Sequence, residues 1–160
     1  HWGFIPWFGG ISLTIMHVPV IIAAILEGPI VGLGVGFIFG IFSLIQAAVA
    51  PTSPADVWFT NPLLSIMPRL FIGPVAYYVW KLLEKIPVVG LIAAGVAGSL
   101  TNTILVLGVI GLMGLLPWAV LGGIVISNGL IEAGVSAFIV LVVVAAWRQI
   151  RIGKRQGSDL

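Results

Sequence analysis

The stretch FTNPLLSIMPRLFIGP, residues 59–74, sets one arginine, Arg69, in an otherwise uncharged run with three prolines. A guanidinium offers a planar fork of donors suited to a carboxylate or phosphate. Pro68 beside it has no N–H, so a helix through this point leaves the Leu64 carbonyl without its donor. Opened backbone next to a cation suits an anionic ligand, and it equally suits a kink. Asn128, Glu132 and Ser136 recur every four residues and so share one helix face. Ser99, Asn102 and Thr103 form a similar polar cluster in the preceding apolar run. His17, near Pro19, and Asn61, at the start of an Asn-Pro pair, complete the candidates. The substrate-binding set is therefore Arg69, Asn128, Asn102, Glu132, His17 and Asn61, each weighed against a structural use. Arg69 and Glu132 could pair as glue, the asparagines could join helices, and His17 could bond a neighbour.

The elements that position these groups follow from composition. The chain has 160 residues, 60% hydrophobic and only 8% charged, with a mean hydropathy of +1.23. Soluble domains carry about 25% charged residues, so this is an integral membrane protein, and its bilayer is its first partner. A crossing helix needs about 20 apolar residues. Residues 12–27, 30–50, 61–84, 88–114 and 118–147 read as five spans, the first of them short. Residues 1–9 read as the tail of a helix whose beginning is missing, and 148–160 as a polar tail. The whole chain is one transmembrane domain of all-α class. The period-two alternation of a barrel is absent, and no apolar run reads as a removable signal peptide.

Charge sets the orientation. Lys81 and Lys85 lie in one connection and Arg148, Arg151, Lys154 and Arg155 in the tail, which five spans place on the same, cytoplasmic side. Trp2, Trp7, Trp58 and Trp118 then mark the outer boundary, Trp80 and Trp147 the inner one. Counted from the outer helix ends, His17 lies roughly 8 Å deep, Arg69 12 Å, Asn128 15 Å, Asn102 18 Å and Glu132 21 Å. The reading is a polar pocket opening outward, closed inward by FIVLVVVAAW.

Several chemistries are excluded. Without cysteine there is no thiol catalysis, disulfide or iron–sulfur cluster. Two histidines without a nearby carboxylate make no metal site. His-Glu-x-x-His, Gly-x-Ser-x-Gly and a P-loop are all missing, so a catalytic role and self-driven ATP hydrolysis are not expected. A net charge of +2 gives no footprint for nucleic acid. Gly32, Gly36 and Gly40 repeat every four residues, a stripe that admits another helix closely. It fits internal packing or docking to a partner.

The runs LTIMHVPVIIAAILEGPIVGLGVGFIFGIFSLI, FTNPLLSIMPRLFIGPVAYYVW and ISNGLIEAGVSAFIV resemble the substrate-binding S components of energy-coupling factor (ECF) vitamin transporters. The likeness covers residues 11 to about 140. It implies a six-transmembrane-helix bundle, with the first helix largely missing here, in a bacterial cell membrane. It further implies capture of a vitamin outside, with no cofactor. Delivery would require a transmembrane T component and two cytoplasmic ATPases. The early helices of the family dock on the T component, which would give Gly32, Gly36 and Gly40 that task. Within the group the chain looks most like the pantothenate type. Hydroxymethylpyrimidine, riboflavin and folate are the competing ligands, and a stand-alone membrane scaffold or enzyme is the competing class.

Overall fold

The computed structural model describes residues 4–6, 12–51 and 54–148. Proline starts most of its helices, because the first turn has no use for the missing N–H. Helix α1 (Val18–Glu27), α2 (Pro29–Val49), α3 (Pro62–Ser65), α4 (Met67–Leu82) and α5 (Pro87–Leu112) each carry proline in the first two positions. Pro117 precedes α6 (Trp118–Ile124), which runs through a π-helical turn, Val125–Gly129, into α7 (Leu130–Trp147). A 3₁₀ helix, Pro54–Thr60, connects α2 to α3. Among the described residues, four stretches are long and apolar enough to cross a membrane: Pro29–Val49, Pro62–Leu82, Pro87–Leu112 and Trp118–Trp147. The last four spans read from the sequence agree with these within a few residues.

The beginning of the chain departs from the reading. Phe4–Pro6, within the expected helix tail at 1–9, is strand β1, paired antiparallel with β2 (Ser12–Thr14). Residues 1–3 and 7–9 lie outside the described residues. Gly3, Pro6, Gly9 and Gly10 crowd this segment, and each is among the worst helix formers. The expected span 12–27 shrinks accordingly. Helix α1 has 10 residues, about 15 Å of rise, half the hydrocarbon thickness. It ends at Gly28, whose φ of 100° is open to glycine at little cost, and Pro29 then restarts the chain as α2.

Glycine sets how closely the helices approach. A methyl group at Gly32 would sit 3.1 Å from Gly73 Cα, one at Gly40 2.8 Å from Ile66 Cα, and one at Gly36 would strike the Arg69 carbonyl. The stripe on α2 is thus pressed against the backbone of α3 and α4. Of the two uses read for Gly32, Gly36 and Gly40, this geometry supports internal packing. The opposite face of α2 carries exposed Ile30, Leu33, Phe37, Ile38, Phe42 and Ile45. A helix apolar on all sides belongs in lipid or a core.

Helix α4 packs against α1, α2 and α5, and α5 packs against α7. One end of the bundle carries Lys81, Glu84, Lys85 and Arg148, all exposed, and is called the charged end here. There Arg148 Nη2 donates to the Ile25 carbonyl at 2.8 Å and its guanidinium covers the Trp80 ring at 5.3 Å. Trp80 is buried, 5% exposed, which corrects its assignment to a lipid-facing belt. Gly90 makes the room, since a methyl there would meet the ring at 3.0 Å. Trp147 and Trp118 are exposed, as a belt requires.

Candidate functional site

Three spans repeat one order along their length. On α3–α4 it is Leu64, then Arg69, then Ile72; on α5 it is Val106, then Asn102 and Ser99, then Ala94. On α6–α7 it is Leu121, then Asn128, Glu132 and Ser136, then Val140. The first members belong to one apolar cluster and the last to another, nearer the charged end. The polar side chains therefore form a belt between two dry layers. The expected pocket was open at the outer end. At the end away from the charged residues, Leu64, Val106, Val109, Ile110 and Leu121 form an apolar cluster, with Trp58 and Phe59 packed against it.

Arg69 is 5% exposed. Its Nη1 donates to the Leu64 carbonyl at 2.7 Å, the acceptor that Pro68 leaves open. Its guanidinium carbon lies 5.4 Å from the Phe39 ring centre and 5.2 Å from that of Phe59, within cation–π range of both. A carbonyl and two aromatic faces thus accommodate the charge. No ion pair links Arg69 with Glu132 among the described residues, and Glu132 is engaged in an interaction of its own. The Arg69–Glu132 pairing that a purely structural arginine would make is thus absent among the described residues.

His17, wholly buried at the start of α1, is joined to Ser136 on α7 by a 2.7 Å bond from Nε2 to Oγ. Helices α5 and α7 run antiparallel in a register fixed twice. Gly95 meets Ala137, and eight residues further along each helix Thr103 meets Gly129. That register puts Ser99 opposite Ala133, between Glu132 and Ser136. The π-helical turn holds Asn128 at the same level as Thr103. Asn128, Glu132 and Ser136 are all buried, so the shared face read from their spacing points inward.

Five buried polar atoms in this belt have no hydrogen-bond partner among the described residues: His17 Nδ1, Arg69 Nε, Ser99 Oγ, Asn102 Oδ1 and Asn128 Oδ1. They come from α1, α4, α5 and the π-helical turn. Buried polar atoms are nearly always paired, so five orphans set this belt apart from the rest of the bundle. Asn61 is different. Its Oδ1 accepts from Leu63 N at 2.9 Å as the N-cap of α3, so it belongs to the start of that helix rather than to the belt.

Reading by residue type left Ser99 and Ser136 out of the candidate set, although both stood in the polar clusters and both lie buried in the belt. Phe39 and Phe59 gave no signal, because aromatic residues in apolar runs are ordinarily core or lipid-facing.

The family described as "ECF transporter, substrate-specific component" matches residues 3–144. The chain belongs to that family. Among S components it is similar to the pantothenic acid transporter PanT of Lactococcus lactis subsp. cremoris, at 30% identity over 91% of this chain and 82% of the relative. A pantothenate transporter PanT of Leuconostoc mesenteroides is 37% identical over 43% of this chain and 38% of its own length. The helical membrane bundle and the resemblance read from the three quoted runs are thereby met. An S component of a membrane transporter binds substrate, and the buried belt is where this chain has polar atoms to spare.

Proposed function

We propose that this chain is the pantothenate-capturing S component of an ECF importer, with the belt as its binding site. The observation that carries the reading is the set of five orphaned polar atoms beside a buried guanidinium. Pantothenate is a small monoanion with an amide and two hydroxyls. Arg69 suits its carboxylate, and Asn102 and Asn128 suit its hydroxyl and amide groups. Glu132 and His17 stand at the same level and contribute to the lining. The two relatives named for pantothenate support this choice over hydroxymethylpyrimidine, riboflavin or folate.

The charged end is cytoplasmic in this reading, by the positive-inside rule, and the belt is reached from outside. Delivery requires a T component and two ATPases, since this chain carries no nucleotide-binding motif. Two measurements test the proposal. Isothermal titration of the full chain in lipid nanodiscs should give submicromolar pantothenate binding without ATP. Affinity purification from membranes should recover a T component and two ATPases. Binding of another vitamin in the panel, with pantothenate ignored, would replace the substrate and keep the class.

A further inference from the structure

The Ser136–His17 bond joins residues 119 apart in sequence and ties α7 to α1 within the belt. The direction of that bond decides what His17 can offer. Thr101, Thr103 and Ser127 each donate their hydroxyl to the carbonyl four residues back, the usual use of such groups in helices. Ser136 makes no such bond among the described residues, so its proton has Nε2 as its acceptor. The alternative, Nε2–H donating to Oγ, would leave a fully buried hydroxyl proton unpaired. With Nε2 accepting, the neutral ring carries its proton on Nδ1, and Nδ1 is one of the five orphans.

Arg69 stands close by. Gly36 packs against both the Arg69 carbonyl and Val20, one turn along α1 from His17, so α1 and α4 both meet α2 at this glycine. Among the belt's orphaned atoms, donors and acceptors are therefore separated by helix. Arg69 Nε–H and His17 Nδ1–H, from α4 and α1, are donors; Asn102 Oδ1 and Asn128 Oδ1, from α5 and the π-helical turn, are acceptors.

We infer that Ser136 is a positioning residue that holds His17 with its Nδ1–H toward the belt, making His17 a second donor to the ligand's carboxylate. The amide oxygens of Asn102 and Asn128 take the hydroxyl and amide protons at the other end. This rests on the pantothenate reading, which it deepens by fixing the ligand's direction and naming two residues that distinguish an acid from its alcohol.

The test compares pantothenate with pantothenol, in which a CH2OH replaces the carboxylate, by titration of the full chain in nanodiscs. Ser136→Ala should lose about tenfold in pantothenate affinity, the scale of one hydrogen bond to a charged group, while pantothenol changes less than about threefold. Ser136→Thr, which keeps the hydroxyl, should retain discrimination. His17→Gln, which can still reach Ser136 but has no Nδ1–H, should lose it. Equal losses for both ligands, or none, would overturn the inference. The ring carbon and nitrogen NMR shifts of His17 in the wild-type chain give a reading independent of variants. The Nδ1–H tautomer is expected, and the Nε2–H tautomer would overturn the arrangement. If the wild type ignores pantothenate altogether, the pantothenate reading fails instead, and the tautomer spectrum still decides the Ser136–His17 geometry.

Discussion

Arg69 Nη1 donates at 2.7 Å to the carbonyl of Leu64, whose helical donor is missing because residue 68 is proline. The arginine mends the backbone that its neighbour opens. A guanidinium with five N–H groups can do this and still present others to a ligand.

This arrangement predicts a specific rescue. Arg69→Ala strands the Leu64 carbonyl in a buried site and should cost roughly 1–3 kcal/mol of stability, read as a lower melting temperature in detergent. Pro68→Ala in the same chain restores an N–H at the right place and should recover much of that loss. Pantothenate binding should not recover, because the guanidinium is still absent. A double variant as unstable as the single one would sink the account.

The glycines of α2 should separate sharply. Gly36→Ala drives a methyl into the Arg69 carbonyl, and overpacking of this kind costs about 1–3 kcal/mol. Gly34→Ala has nothing within 4 Å and should be neutral or raise stability by up to about 1 kcal/mol through helix propensity. Thermal melts of the two variants, side by side, check this. Equal behaviour would show that α2 and α4 do not touch through the stripe.

Asn102 should trade stability for binding. Replacing it with leucine of similar size removes an orphaned carbonyl oxygen, a group whose burial costs about 1–3 kcal/mol. The ligand-free Asn102→Leu protein should melt higher than wild type and bind pantothenate at least about tenfold more weakly. Should it melt lower, the oxygen is doing structural work.

Orientation can be read with single cysteines, since the chain has none of its own. Thr60 and Lys85 are both exposed at opposite ends of the bundle. A membrane-impermeant maleimide added to intact cells should label Thr60→Cys and spare Lys85→Cys until the cells are opened. The reverse pattern would turn the proposed topology over.

Much of this was legible before folding. Pro29, Pro62, Pro87 and Pro117 announce where helices begin, because a missing N–H is harmless only in the first turn. Asn128, Glu132 and Ser136 announce a shared face by spacing alone, and Pro68 announces the open Leu64 carbonyl. Other features leave no local trace. GxxxG spacing says that Gly32 and Gly36 invite a close helix, not which helix, and only Gly73 opposite Gly32 and Arg69 opposite Gly36 decide. Trp80 at a helix end looks like a membrane-boundary residue until Gly90 opens a seat for its ring. The turn at Val125–Gly129 is one residue's worth of slack in the backbone ladder, too small for propensity to register. Gly3, Pro6, Gly9 and Gly10 carry a break that the helix-tail reading of residues 1–9 passed over, and nothing in them foretells that Phe4–Pro6 and Ser12–Thr14 pair as strands.

The dry layer of Leu64, Val106, Val109, Ile110 and Leu121 bears on time rather than on strength. A solute that left the belt past this cluster would have to part its packed side chains. Departure is then paced by the frequency of that opening and not by the ligand's own bonds alone. A scavenger built this way keeps hold of a scarce molecule through long residence. Under the proposed function, the captured molecule would then wait in the belt until the importing machinery engages on the other side.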